Sequence, residues 1–189
     1  LRQPLETKTI TITRANQSLT YPAQFLLVAA MNPCPCGFLT DTSVECNCNP
    51  HEIKRYNKKL SGPLLDRFDI ILNIPRLTKK EFIEDTKQEE TSQSIYNRVE
   101  KAIQKQHHRY NKNIQNGTIP NTLLNTHIHL SKQQKNYLGT CIEKGLLTAR
   151  SCNKVLRVAQ TIADLENQSE ITDIHISEAL HYRQYSTPK

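Results

Sequence analysis

The chain has 189 residues, 37% of them apolar, and carries 25 Lys and Arg against 18 Asp and Glu for a formal net charge of +7. That length supports one large domain or two small ones with real cores, and the lack of both an 18-residue apolar run and a basic-then-apolar leader argues against a membrane span or a secretory signal. A soluble cytosolic chain is expected, with a positive surplus compatible with nucleic acid, and an opening Leu1 in place of Met points to a piece of a longer protein.

Residues 7–14, TKTITITR, alternate β-branched and polar side chains, the pattern of a half-buried strand. Turn chemistry from Ala15 to Ser18 followed by LTYP predicts a hairpin. The run FLLVAAM, 25–31, is continuously apolar and predicts a parallel strand buried on both faces. Ligands bind beyond the carboxyl ends of such strands, which singles out Asn32; an asparagine before Pro33 is also readable as a turn residue.

Cys34, Cys36, Cys46 and Cys48 form two C-x-C pairs. Four thiolates this close can surround Zn²⁺ tetrahedrally, and a reducing compartment favours metal ligation over disulfides. His51 is an alternative ligand, and free thiols are the other reading. The stretch between Thr40 and Asn49 is too polar to build a core of its own, so a metal would supply its folding free energy.

Asn49 is the predicted N-cap of a basic helix, HEIKRYNKKL, with Pro50 in its first turn and Glu52 completing a capping box. Ser61 then caps a short turn, PLLDRF, which directs Leu64 and Leu65 to the core and Arg67 outward. A second buried strand, DIILNIP, follows. Taken alone, Arg67 reads as a surface ion pair with Asp66 or Asp69.

After Pro75 the pattern becomes helical, and a boundary is predicted near residue 77. Thr78 with Glu81 forms a capping box, 85–93 reads as loop, and a helix is predicted near 92–111. Ile95, Val99, Ala102, Ile103 and Tyr110 share one face of it, beside a solvated stripe of Arg98, Lys101, Lys105 and Arg109. Asn116-Gly117 and Pro120 mark a turn. Ser131 opens a helix to about Gly145, and Thr148 caps a longer one with Cys152, Val155, Leu156, Ala159, Ile162 and Ala163 on its apolar face and Arg150, Lys154 and Arg157 opposite. Cys141 and Cys152 read as buried thiols. A last helix is expected at about 173–184.

The order of these pieces, from LRQPLE through Asn32, CPCG, CNC and SGPLLDRF to TAR and EALHYR, resembles the Mg-chelatase-like AAA+ ATPases of the ComM/YifB branch over nearly the whole chain. The resemblance implies an α/β fold. Residues 1–76 are expected to be the second half of a AAA+ core, with parallel strands, a pore-facing β-hairpin and a zinc loop; residues 77–189 are expected to be an α-helical lid. It implies Asn32 as the residue that positions the attacking water, Arg67 as an arginine finger and Arg150 as the second sensor, with zinc on Cys34, Cys36, Cys46 and Cys48 and with ATP and Mg²⁺ in the longer protein. A ring of copies, a hexamer, acting on DNA in branch migration during natural transformation is the implied assembly. Two alternatives remain: the ATPase motor subunit of a magnesium-porphyrin chelatase, a related group whose pattern lacks the cysteine loop, and a zinc-stabilised nucleic-acid-binding module without enzymatic activity. The five glycines, at 37, 62, 117, 139 and 145, nowhere form the G-x4-G-K-S/T phosphate loop, so this chain alone is expected to be inactive.

Overall fold

The computed structural model describes residues 2–15, 17–41, 43–77, 90–111 and 113–183. They divide into two compact units, one running to Phe68 and including Asn73–Arg76, the other made of Asp69–Leu72 and the residues from Leu77 onward.

In the first unit, helix α1 (Arg2–Thr7) leads into β1 (Thr9–Arg14) and β2 (Gln17–Pro22). The strands pair antiparallel from Thr9↔Pro22 to Arg14↔Gln17, and Ala15, just past the end of β1, adopts φ +50. Tight hairpin turns demand such left-handed backbone, because its twist matches that of the strands. The predicted hairpin is therefore present, but its side chains are mostly exposed, Ile10, Ile12, Leu19 and Tyr21 included, and the expected half-burial is absent. Helix α2 (Pro50–Asn57) and the single turn α3 (Gly62–Leu65) complete the unit.

Neither predicted parallel strand is formed among the described residues. Residues 25–31 and 69–75 have no sheet partner among the described residues, and Leu26, Val28 and Ile74 are 90%, 82% and 86% exposed. The physical reason is that a parallel strand satisfies its backbone N–H and C=O groups only through neighbours in a sheet. A run of strand formers supplies the tendency, and no described segment supplies the ladder. Residues 69–72 instead join the second unit, where the Ile71 amide donates to the Tyr182 carbonyl at 2.7 Å and Asp69 pairs with Lys154 at 2.7 Å.

The second unit holds α4 (Ser92–Tyr110), α5 (Asn121–His127), α6 (Lys132–Glu143), α7 (Ala149–Leu165) and α8 (Asp173–His181). Ser131 and Thr148 start their helices as expected, through reciprocal boxes with Gln134 and Ser151. Thr91, expected in a loop, caps α4 by accepting the Ser94 amide; the Thr78–Glu81 box lies outside the described residues. Helix α7 is the central element: Val155, Leu156 and Ala159 are buried and pack with Ile119, Leu124, Leu138 and Ile176, and Ala163 is buried as well. Cys141 is buried there and Cys152 half-buried, as expected of structural thiols.

One residue of the α4 stripe, Arg109, departs from the expected solvated face, while Arg98 and Lys101 are exposed as expected. Arg109 reaches Asp164 on α7, whose side chain is 0% exposed, and donates to both of its carboxylate oxygens. Asn116 donates to the same carboxylate at 2.8 Å and accepts the Tyr110 hydroxyl at 2.6 Å, while its amide donates to Gln106 at 2.9 Å. Asn116 is thus a buried hub within its turn. On the same helix Ile95 and Val99 are exposed, so burial is confined to Ala102, Gln106 and Tyr110. Lys154 and Arg157 are not simply solvated either, since Arg157 donates to the Ile119 carbonyl and to Asn121, both at 2.7 Å.

Candidate metal centre and phosphate-directed residues

The cysteine loop is shaped by two local devices. Gly37, at φ +86, lets the chain turn so that its amide donates to the Cys34 carbonyl at 3.1 Å, a backbone conformation side-chain-bearing residues avoid. Asp41 then gathers the far side: it accepts the Ser43 amide at 2.8 Å, the Ser43 hydroxyl at 2.6 Å, the Val44 amide at 3.1 Å and Arg76 at 3.1 Å. These donors, Ser43 foremost, hold the Asp41 carboxyl well below the usual carboxylate range. Nothing in the sequence pattern marked Asp41 for this part, although Asp followed two residues later by Ser is a turn signature.

The loop brings four sulfurs together. Sγ separations are 3.3 Å for Cys34–Cys36, 3.5 Å for Cys36–Cys46 and 3.7 Å for Cys34–Cys46, and all four thiols including Cys48 lie within 4.8 Å of one another. Thiolates bound at about 2.3 Å to one zinc sit about 3.8 Å apart along the edges of a tetrahedron. The four cysteines therefore fit a metal of that size, and His51 is not part of the cluster. Their environments differ: the Phe38 amide and the Cys34 thiol hold Cys36 down at about 6, whereas lost hydration pushes Cys48 up to about 12. Cys36 thus offers a ready thiolate, and a cation would be required to hold Cys46 and Cys48 ionised beside it.

One residue beyond Cys48, Asn49 caps α2. Its side chain accepts the Glu52 amide at 2.9 Å while Glu52 accepts the Asn49 amide at 3.0 Å, the reciprocal box read from the sequence. The helix axis is thereby fixed immediately after the last sulfur.

The three residues assigned to phosphate chemistry are placed as follows. Asn32 is exposed, and its amide lies 3.6 Å from where a Cβ on Gly37 would stand, so it borders the cysteine loop. Arg150 is exposed in the first turn of α7, in the other unit. Arg67 departs from expectation: its side chain is only 14% exposed, donating to the Pro63 carbonyl and pairing with Glu6 of α1 at 2.5 Å. Glu6, 61 residues away in sequence, is a carboxylate partner in addition to the Asp66 and Asp69 considered from the sequence.

Comparison with known proteins gives the chain its family. The description "Magnesium chelatase, subunit ChlI" matches residues 1–82, and "Magnesium chelatase, subunit ChlI C-terminal" matches residues 89–183. Competence protein ComM of Haemophilus influenzae is 37% identical over 183 residues, covering 97% of this chain and 35% of that protein. This chain belongs to the Mg-chelatase-like family of ComM and YifB. YifB of Escherichia coli is 37% identical over 184 residues with the same coverage, and an uncharacterized protein of Mycobacterium tuberculosis is 33% identical over 186 residues, covering 97% of this chain and 36% of its own length. The chain thus spans about a third of the length of these relatives. Among the described residues no helix is long and apolar enough to cross a membrane.

Proposed function

We propose that this chain is the sensor, finger and lid portion of a AAA+ ring ATPase that couples ATP turnover to DNA remodelling, including branch migration during natural transformation. The observation that carries the reading is a match that runs through both units in order and reaches a competence protein over 97% of the chain. On this reading residues 1–76 are the second half of the ATPase core, residues 77–189 are its lid, and copies of the protein form a ring, a hexamer, around DNA. The unpaired apolar segments 25–31 and 69–75 then complete their ladders with strands of the longer protein.

Phosphoryl transfer is catalysed by positioning and by neutralising charge. Asn32 orients the attacking water, Arg150 senses the phosphate from the lid, and Arg67 exchanges the Glu6 carboxylate for the phosphate held by the neighbouring subunit. The exchange is chemically conservative, since a guanidinium donates to carboxylate and phosphate with the same forked geometry. ATP and Mg²⁺ are held elsewhere in the longer protein. The cysteine site, holding zinc, is structural: it ties the loop between Asn32 and α2.

Replacing Arg67 by Ala in the complete protein tests the reading. Turnover falls by about 10³-fold, the scale of an arginine finger, with folding and nucleotide binding retained. Normal turnover with a stability loss below about 1 kcal/mol would place Arg67 among ordinary ion pairs.

A further inference from the structure

Half of the basic residues in 1–75 fall within six positions, Lys54 and Arg55 in the last turn of α2 and Lys58 and Lys59 immediately after it. All four are exposed and none makes an ion pair with a described residue. The one carboxylate of the helix, Glu52, is occupied in the capping box. Ordinary solvated faces intersperse both signs of charge; this one does not.

Spacing arranges the four as two adjacent rows one helical turn apart, Lys54 with Lys58 and Arg55 with Lys59. Arg55 and Lys59 border an open groove of about 630 Å³ together with Cys36, Cys48 and Tyr56, and Lys59 lies 5.7 Å from the Tyr56 ring centre. Lys54, Arg55 and Lys58 line a second groove with His51, where no carboxylate except Glu52 is present to answer them.

We infer that this basic band on α2 is a nucleic-acid contact surface that grips the phosphodiester backbone. The charge and geometry stand by themselves, and the choice of nucleic acid as partner rests on the motor reading above. Phosphate contacts of this kind carry no sequence information and fix position on the strand. The capping box and the cysteine cluster at the start of the helix give the cations a fixed platform.

The test uses the complete protein with Lys54, Arg55, Lys58 and Lys59 all changed to Gln, and with the three lysines changed to Arg as a charge-retaining control. Binding to a labelled 20-base-pair DNA and to the matching single strand is measured between 50 and 200 mM salt, with metal content, helicity and DNA-free ATP turnover followed in the same samples. Removing one cation from a duplex phosphate lowers the slope of log affinity against log salt by about 0.9, and from a single-strand phosphate by about 0.7. A band in which two to four cations engage phosphates therefore contributes roughly 1.8 to 3.6 to the duplex slope. The expected result is a drop of that size in the Gln variant, metal and helicity unchanged, with the Arg variant like the parent. Affinity and slope equal to the parent on both DNAs overturn the surface; if turnover is intact, the motor reading stands without it. A lowered slope in a protein that hydrolyses no ATP keeps the surface and overturns the motor.

Discussion

Changing Asp164 to Ala removes the acceptor around which the helical unit's polar interior is built. The carboxylate is fully buried and takes hydrogen bonds from Arg109, from Asn116 at 2.8 Å and from Gln160 at 3.4 Å. Its loss leaves a guanidinium that is only 15% exposed without its counter-charge and removes a partner of the Asn116 amide. Breaking one side of such a pair costs about 3–5 kcal/mol, well above the value of a surface pair. For a helical unit near 100 residues each kcal/mol lowers the midpoint by about 4–8 °C, so a fall of at least ~12 °C is expected. Thermal and urea melts followed by helical circular dichroism measure it. A paired change of Asp164 to Leu with Arg109 to Met should recover most of the loss, because replacing both ions by apolar groups removes the desolvation cost together with the attraction. An Asp164→Ala midpoint within ~4 °C of the parent would show that Arg109 and Asn116 find solvent instead, and that the network is not what holds α4 against α7.

Purified without added metal, the chain should carry one zinc, and chelation should expose Cys34, Cys36, Cys46 and Cys48 to thiol reagents while Cys141 stays slow; sub-stoichiometric metal with all four already reactive contradicts the site. The 189 residues alone should show negligible magnesium-dependent ATP hydrolysis, since they contain no phosphate loop, and robust turnover would relocate the nucleotide site. Burial raises the Tyr110 hydroxyl above its ordinary value near 10, so the unfolded chain loses that proton first and stability declines as pH rises from about 10 through the folded value. Tyr110→Phe should flatten that decline while costing about 1 kcal/mol at neutral pH for the hydrogen bond to Asn116, and an unchanged alkaline slope contradicts the assignment.

What was legible in the sequence was chemistry that acts within a few residues. Asn49 with Glu52, Ser131 as a helix start and Thr148 at the head of α7 are read correctly because a cap depends on three or four consecutive positions. The cysteine cluster follows from spacing alone, and the hairpin from alternation. What was not legible depends on distant partners. Glu6 and Arg67 lie 61 residues apart, and Arg109 and Asp164 lie 55 apart. A signal for the second pair did exist: Gln160 and Asp164, one helical turn apart, fall among the apolar positions of α7, and a polar residue there must find a buried partner. FLLVAAM shows the opposite failure, since an apolar run states that a segment can be a central strand and says nothing of whether the described chain holds its neighbours.

The motor reading stands or falls on whether Arg67 acts on a neighbouring subunit. The measurement is ATP turnover in mixtures of two variants of the complete protein, one carrying Arg67→Ala and the other lacking its phosphate-loop lysine. Each alone should be nearly inactive. Mixed, some interfaces combine an intact phosphate loop with an intact Arg67 from the adjoining subunit, so activity should return and peak near equal proportions. Full turnover by Arg67→Ala alone, with no gain in any mixture, would contradict the account and leave Arg67 with a structural role as the partner of Glu6.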